Sequence, residues 1–321
     1  MSNLTSKIIG VGGYLPNKII TNFDLEKMVD TSDEWIEQRT GIKQRHIAEN
    51  QTTSDLAIEA IKDAINNANI DKNDIDLIIC ATTTPDLTFP STACIIQNKL
   101  GIDKNIVAFD IQAVCCGFVY ALSIANDMMK SGKIKTAIVV GAEKMSSLID
   151  WEDRATCVLF GDGAGAVVLQ STNEENTGII DTELYANGNH IDMLKTSGGT
   201  STNQVAGTIL MDGKGVFKHA VEKMSSSIQS IVQKNGFSLD DIDLIIPHQA
   251  NYRILSMVAE KLNIPKEKFI LTISEHANTS SASIPLALNE AIKQNKIKKG
   301  DLLVFEALGA GFTWGSVLVR W

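Results

Sequence analysis

Nothing in this sequence supports a disulfide framework or a structural metal site. Its five cysteines (80, 94, 115, 116 and 157) are odd in number and include no C-x-x-C pair. Vicinal thiols rarely bridge each other, so all five read as reduced. Cys80, Cys94 and Cys157 sit among apolar residues and are expected in the core. No apolar run approaches the roughly 20 residues of a membrane span. The start, MSNLTSKIIG, lacks a basic head followed by an apolar segment, so a cytoplasmic location is the default expectation. Positive charge is in deficit too: 29 Lys and Arg stand against 38 Asp and Glu, a net charge of −9. That balance argues against nucleic acid as a bulk partner and requires any acidic partner to find a local basic patch. Phosphate-loop motifs are also missing. FGDGAGAVV (160–168) and LGAGFTWGS (308–316) are glycine-rich, but both lead into strands, and neither fits GxxxxGK[ST] or a GxGxxG that opens a helix.

What is present is an alternation of apolar strand-like runs with helix-period runs. The 321 residues, 44% hydrophobic, suffice for two domains or one large layered fold. Strands are expected at DLIICAT, IVAFDI, TAIVVGAE, GAGAVVLQ, DLIIPHQ, FILTIS, LLVFEALG and GSVLVRW. Helices are expected at 55–68, 117–130, 252–262 and 284–293, which makes the class α/β.

The chain also repeats itself. DIDLII occurs at 74–79 and again at 241–246, an offset of 167. Lys-Ile-Lys at 133–135 returns at 296–298, an offset of 163, and a glycine-led strand at 165–169 returns at 315–319. Three matches in one order point to a duplicated α/β unit, with halves 1–172 and 173–321 meeting in the polar stretch QSTNEENTG. At the 163 offset Cys115 falls on Asn278, so the two are expected at matching helix starts. His248 ends an apolar strand, where ligands gather in α/β sheets.

The candidates for chemistry follow. QAVCCGF places Cys115 and Cys116 between a strand and a helix, and a helix N-terminus can lower a thiol pKa. Adjacent residues face different ways, so at most one of the pair is a nucleophile. The bland alternative is two small core residues. His248 of IIPHQAN and His276 of SEHANTS are the histidines with special context. Asn278 is a good helix-start residue as well as a candidate donor.

Taken together, DEWIEQRTGIKQRHI, FPSTAC, DIQAVCCGFVYALSIA, FGDGAGAVVL, PHQANYRIL, HANTSSASIPLALNEA and GAGFTWGSVLVRW resemble the β-ketoacyl-[acyl-carrier-protein] synthase III family. The resemblance covers essentially the whole chain. It implies a thiolase-like five-layered αβαβα fold of two similar halves, as a homodimer. The implied activity is the initiating condensation of fatty acid synthesis. An acyl group, acetyl first among candidates, passes from acyl-CoA to a cysteine and condenses with malonyl-loaded acyl carrier protein (malonyl-ACP). By this resemblance the catalytic residues are Cys115, His248 and Asn278, with backbone oxyanion donors at Cys115 and Ala310. Trp35, Arg39 and Arg154 would bind CoA, and Lys218, Gln249 and Arg253 the carrier. Phe89 would reach across the dimer to close the acyl pocket. No metal and no cofactor is implied, since acyl-CoA is a substrate. Other thiolase-fold enzymes, of polyketide, quinolone or 3-hydroxy-3-methylglutaryl type, are the nearest alternatives. The last usually needs a glutamate near the cysteine, and the sequence shows no convincing match. A Cys-His-Asn hydrolase is a more distant one.

Overall fold

Most of the apolar runs form strands buried on both faces, which is why their polarity does not alternate. The structure, a computed structural model, describes residues 4–321. One sheet contains β1 (Thr5–Tyr14), β2 (Leu77–Ala81), β3 (Val107–Ile111), β4 (Thr136–Glu143) and β5 (Gly163–Thr172), in the order β1-β5-β4-β2-β3. The other contains β6 (Gly178–Ala186), β7 (Leu244–Pro247), β8 (Leu302–Gly309) and β9 (Thr313–Arg320), in the order β6-β9-β8-β7. β2 runs parallel to β3 and β4, and β7 parallel to β8; the other pairings within these sheets are antiparallel.

Helices fill three layers around these sheets. α1 (Thr53–Ala68) and α2 (Thr92–Leu100) cover the outer face of the first sheet. α4 (Gly213–Lys234) covers the second and packs against α5 (Tyr252–Leu262). Between the sheets lie α3 (Gly117–Lys130) and α6 (Ser283–Lys293). Side-chain parity shows the layering directly. Leu77, Ile79 and Ala81 of β2 join Leu303, Phe305 and Ala307 of β8 in one central core, while Ile78 and Cys80 turn outward toward α1. The result is the αβαβα arrangement.

The order β6-β9-β8-β7 repeats β1-β5-β4-β2 and leaves β3 without a counterpart strand, but the equivalence differs in detail from the sequence register. Val114 and Ser280 both take a left-handed φ, 50° and 51°, each in a one-turn helix leading into α3 or α6. They are 166 residues apart, so Cys115 corresponds to Ser281 and Asn278 to Gln112. The 163 offset holds only in the connections that follow. α6 has 11 residues against 14 in α3, and that missing turn of helix shifts the Lys-Ile-Lys match by three. The strand expected at 269–274 is reduced to one bridge between Ile245 and Phe269, followed by a short helix at Ile273–His276. Cys80 and Cys157 are buried as expected, but Cys94 is exposed, its thiol reaching Ala108 O at 3.8 Å on β3, the edge strand of the first sheet.

Candidate active site

The site forms where the two central one-turn helices meet. Val114 is β-branched, so its left-handed backbone costs on the order of 1–3 kcal/mol and must be held by its surroundings. Cys116 N–H donates to Ala113 O at 3.0 Å, and Thr313 Oγ1 donates to the same carbonyl at 3.0 Å. Gly309 closes the turn from the other side. A Cβ there would stand 2.6 Å from Ala113 O and 2.9 Å from Cys115 N, so the end of β8 can approach only as glycine. This elbow separates the doublet. Cys115 lines a cavity, whereas Cys116 is sealed in the central core.

That cavity, about 270 Å³, contains Cys115, His248 and Asn278 among its walls and reaches Trp35 and Arg39 at the surface. His248 follows β7 and is held by its N–H to Glu306 O at 2.7 Å. Its Nδ1 lies 2.7 Å from Ser283 Oγ. Gln249 N–H already donates to that oxygen, and the serine proton has one acceptor in reach, Nδ1. We assign the proton of the neutral ring to Nε2 on this network. Burial pushes the His248 pKa down to about 3, so the ring is a neutral donor across the usual pH range.

Asn278 is aimed by the same kind of accounting. Its Oδ1 accepts Ser280 N–H at 2.8 Å, and its backbone pairs with Leu159 and Gly161. The amide Nδ2–H₂ is thereby left to face the cavity as a donor. The Cys115 thiol behaves differently from the expectation of a lowered pKa. Burial pushes it up to about 12, the nearby Glu143 charge adds to that, and the Ser280 hydroxyl opposes it. Burial outweighs the helix terminus, and Cys115 rests as a thiol.

The mouth is built on the helix Asp33–Thr40, capped by Ser32 Oγ on Trp35 N. Arg39 and Arg154 place their guanidinium carbons 4.9 and 5.1 Å from the centre of the Trp35 ring. Arg154 also pairs with Asp30 at 3.5 Å. Asn251 ties this helix to α5 by donating to Arg39 O at 3.1 Å while its Oδ1 caps Arg253 N. Arg253 is exposed and stacks 5.8 Å from the Phe217 ring, which lines the cavity; Lys218, also exposed, is next to it. Gln249 does not share this surface. It is fully buried, donating to Pro247 O and Ile270 O and accepting from Thr272 and Ile273 N–H. These bonds hold the chain just after β7, and the side chain presents no exposed surface at the mouth. His276 is buried away from the cavity wall, and Phe89 is 83% exposed on the loop before α2.

One residue escaped the sequence reading, which found no glutamate near the cysteine. Glu143, the last residue of β4, is fully buried with Oε1 within 3.2 Å of Ser280 Oγ. No local signal marks it, because it ends an apolar strand that is otherwise all core.

The comparisons with known proteins agree with this geometry. Residues 109–188 match the family model for 3-oxoacyl-[acyl-carrier-protein] synthase III, and residues 232–321 match the model for its C-terminal part. The β-ketoacyl-[acyl-carrier-protein] synthase III of Ehrlichia canis is 60% identical over 98% of this chain and 99% of its own. The chain belongs to the β-ketoacyl-[acyl-carrier-protein] synthase III family. The synthase III of Rickettsia felis is 54% identical over 99% of this chain and all of its own. The crystal structure of the Aquifex aeolicus enzyme superimposes with a TM-score of 0.94 at 51% identity, covering 98% of this chain and 100% of that one. As a synthase III, the chain is an acyltransferase of the initiating condensation in fatty acid synthesis, built on the thiolase fold.

Proposed function

We propose that this synthase loads a short acyl group, acetyl first, from acyl-CoA onto Cys115 and condenses it with malonyl-ACP. The observation that carries this is the convergence of one thiol and two neutral, pinned donors at the inner end of a cavity whose outer end is Trp35. Thiol attack on the thioester gives the acyl-enzyme and free CoA. Backbone N–H groups of Cys115 and Ala310 would serve the developing oxyanion; Thr313 Oγ1 bridges the two turns by reaching both Ala113 O and Ala310 O. In the second half-reaction malonyl-ACP loses carbon dioxide, and the enolate oxygen accepts from His248 Nε2–H and Asn278 Nδ2–H. The enolate carbon then attacks the acyl-cysteine. A cavity of about 270 Å³ that must also admit a pantetheine arm leaves room for a short primer. Incubation with a panel of acyl-CoAs, with fragment mass spectrometry of the product, tests this reading. Acylation at Cys115 is expected, and acylation elsewhere or none would overturn it.

The neutral state of His248 has a measurable consequence. Malonyl-ACP decarboxylation should show no acid limb near pH 6.5, the ordinary histidine value, because His248 gains its proton only near pH 3. An acid limb near 6.5 that disappears in His248→Gln would contradict the assignment.

The carrier is proposed to dock at the mouth. Arg39, Arg154, Lys218 and Arg253 are exposed there in a chain of net charge −9, a local basic patch suited to an acidic protein. Arg253→Glu should raise the KM for malonyl-ACP several-fold, spare acyl-CoA loading, and lose its effect as salt is added. An unchanged KM at low salt would contradict it. Trp35 would stack on the adenine of CoA, with Arg39 and Arg154 flanking. A homodimer is proposed across β3, an edge strand paired only with β2, whose residues are all at least partly exposed. Leu87 and Phe89 are exposed on the loop that follows β2, which supports the reading that Phe89 reaches a partner's acyl pocket. Among the described residues no helix is long and apolar enough to cross a membrane. We propose a cytoplasmic enzyme with no cofactor.

A further inference from the structure

Asn278 can serve an enolate only while its amide stays aimed, and the turn that carries it does not hold itself. Its Oδ1 is fixed by Ser280 N–H at 2.8 Å, yet Ser280 has a left-handed φ of 51°. A residue with a side chain keeps that conformation only where its surroundings hold it. The counterpart turn in the first half, at Val114 and Cys115, is held by Thr313 and by the close approach of Gly309 at the end of β8. The equivalent end of β4, 166 residues earlier, is Glu143, so a carboxylate stands there in place of the glycine.

The two oxygens of this buried carboxylate are divided between two segments. Oε1 lies 3.2 Å from Ser280 Oγ and 2.9 Å from Ser281 Oγ, both in the turn that carries Asn278. Oε2 accepts Thr83 N–H at 3.0 Å and has the hydroxyls of Thr82, Thr83 and Thr84 at 3.3, 3.0 and 2.8 Å, just beyond β2. Each of these groups can donate, which suits a side chain that accepts at both oxygens. Ser281 Oγ also lies 2.8 Å from Ala81 O, the last residue of β2. Gly141, two residues before Glu143 on the same face of β4, lets the Ser281 backbone come onto the strand; a Cβ there would stand 2.3 Å from Ser281 O. The Ser280–Ser281 turn is thus seated on β4 and tied through one carboxylate to the end of β2.

We propose that Glu143 is a positioning residue of the condensation half-reaction, holding the Ser280–Ser281 turn so that the Asn278 amide stays aimed at the enolate oxygen. Glu143 is not part of the cavity wall, so it acts through this turn and not on the substrate. A network of this kind fixes geometry because loosening one member leaves buried donors without partners. The role rests on Asn278 being an enolate donor. It also sets Glu143 apart from loading. The carboxylate charge opposes ionisation of Cys115, so its loss makes thiol attack no harder.

The test measures kcat and KM for malonyl-ACP decarboxylation, and first-turnover CoA release, in wild type and five variants. These are Glu143→Ala, Glu143→Gln, Ser281→Ala, Asn278→Ala and the double variant Glu143→Ala/Asn278→Ala. Glu143→Ala should lower the decarboxylation kcat about 10–10²-fold, as a misaimed donor would, with KM and CoA release near wild type. Glu143→Gln keeps an acceptor for Thr83 N–H but turns an NH₂ toward the serines, so it should recover part of the rate. Ser281→Ala keeps the carboxylate and should show a smaller loss with the same split, including where Glu143→Ala fails to fold. The double variant should be no slower than Asn278→Ala, because an amide already absent cannot be misaimed. Wild-type decarboxylation in every Glu143 and Ser281 variant that folds, losses that multiply in the double variant, or an equal fall in CoA release would overturn the role. Wild-type decarboxylation in Asn278→Ala would instead overturn the reading of Asn278 as the donor.

Discussion

Cys115→Ala is expected to abolish acyl loading, whereas Cys116→Ala should keep most of it. The two thiols are neighbours in sequence, yet the elbow at Val114 sends one into the cavity and the other into the central core. Removing the sulfur of Cys115 leaves no group that can form the thioester, so release of CoA in the first turnover should fall to background. Decarboxylation of malonyl-ACP should continue in the same variant. The donors that serve the enolate are held by Ser283 and Ser280, not by the thiol, and their aim survives its loss. Cys116→Ala removes one buried sulfur from a packed layer and should cost modest stability with little change in rate. A Cys116→Ala variant without acyl-enzyme, or label on Cys116 in the wild type, would reverse the assignment.

His248→Ala or Asn278→Ala should separate the half-reactions in the opposite sense. Each removes one preorganised donor from the enolate oxygen, a change worth about 10²–10³ in condensation rate. Loading draws on neither side chain in this account, so CoA release should stay close to wild type. Asn278→Asp is the sharper variant. It keeps an oxygen for Ser280 N–H while replacing the donor with an acceptor, so condensation should fall as far as in alanine with less disturbance of the turn. Rate measurements on isolated loading and on malonyl-ACP decarboxylation decide the matter, and equal losses in both would refute the division of labour.

Much of this was legible in the residues. Strands buried on both faces announce themselves as unbroken apolar runs, and the helices α3, α5 and α6 fall almost where their periodicity puts them, because burial sets period and length locally. DIDLII and the glycine-led strands carry the duplication correctly, since they lie inside equivalent strands. The Lys-Ile-Lys match lies in a connection, where one turn of helix can be lost without disturbing either sheet. For that reason Cys115 was matched with Asn278 when its equivalent is Ser281. Motifs around Cys115, His248 and Asn278 nominate the groups proposed to react, because their chemistry depends on residue type.

The tertiary structure alone decided the electrostatics and the supporting contacts. A helix start suggests a lowered thiol pKa, but depth of burial reverses the sign, and depth is a property of the packed layers. Gln249 looks like a surface residue beside a histidine, and packing turns it inward to satisfy four backbone groups. Glu143 is 28 residues from Cys115 in sequence and ends a different strand, so nothing local links them. Sequence by itself determined the family and the layers, and it nominated the three side chains proposed to react. Which thiol faces the cavity and which nitrogen donates depend on distances between segments far apart in the chain, and only the folded chain sets those.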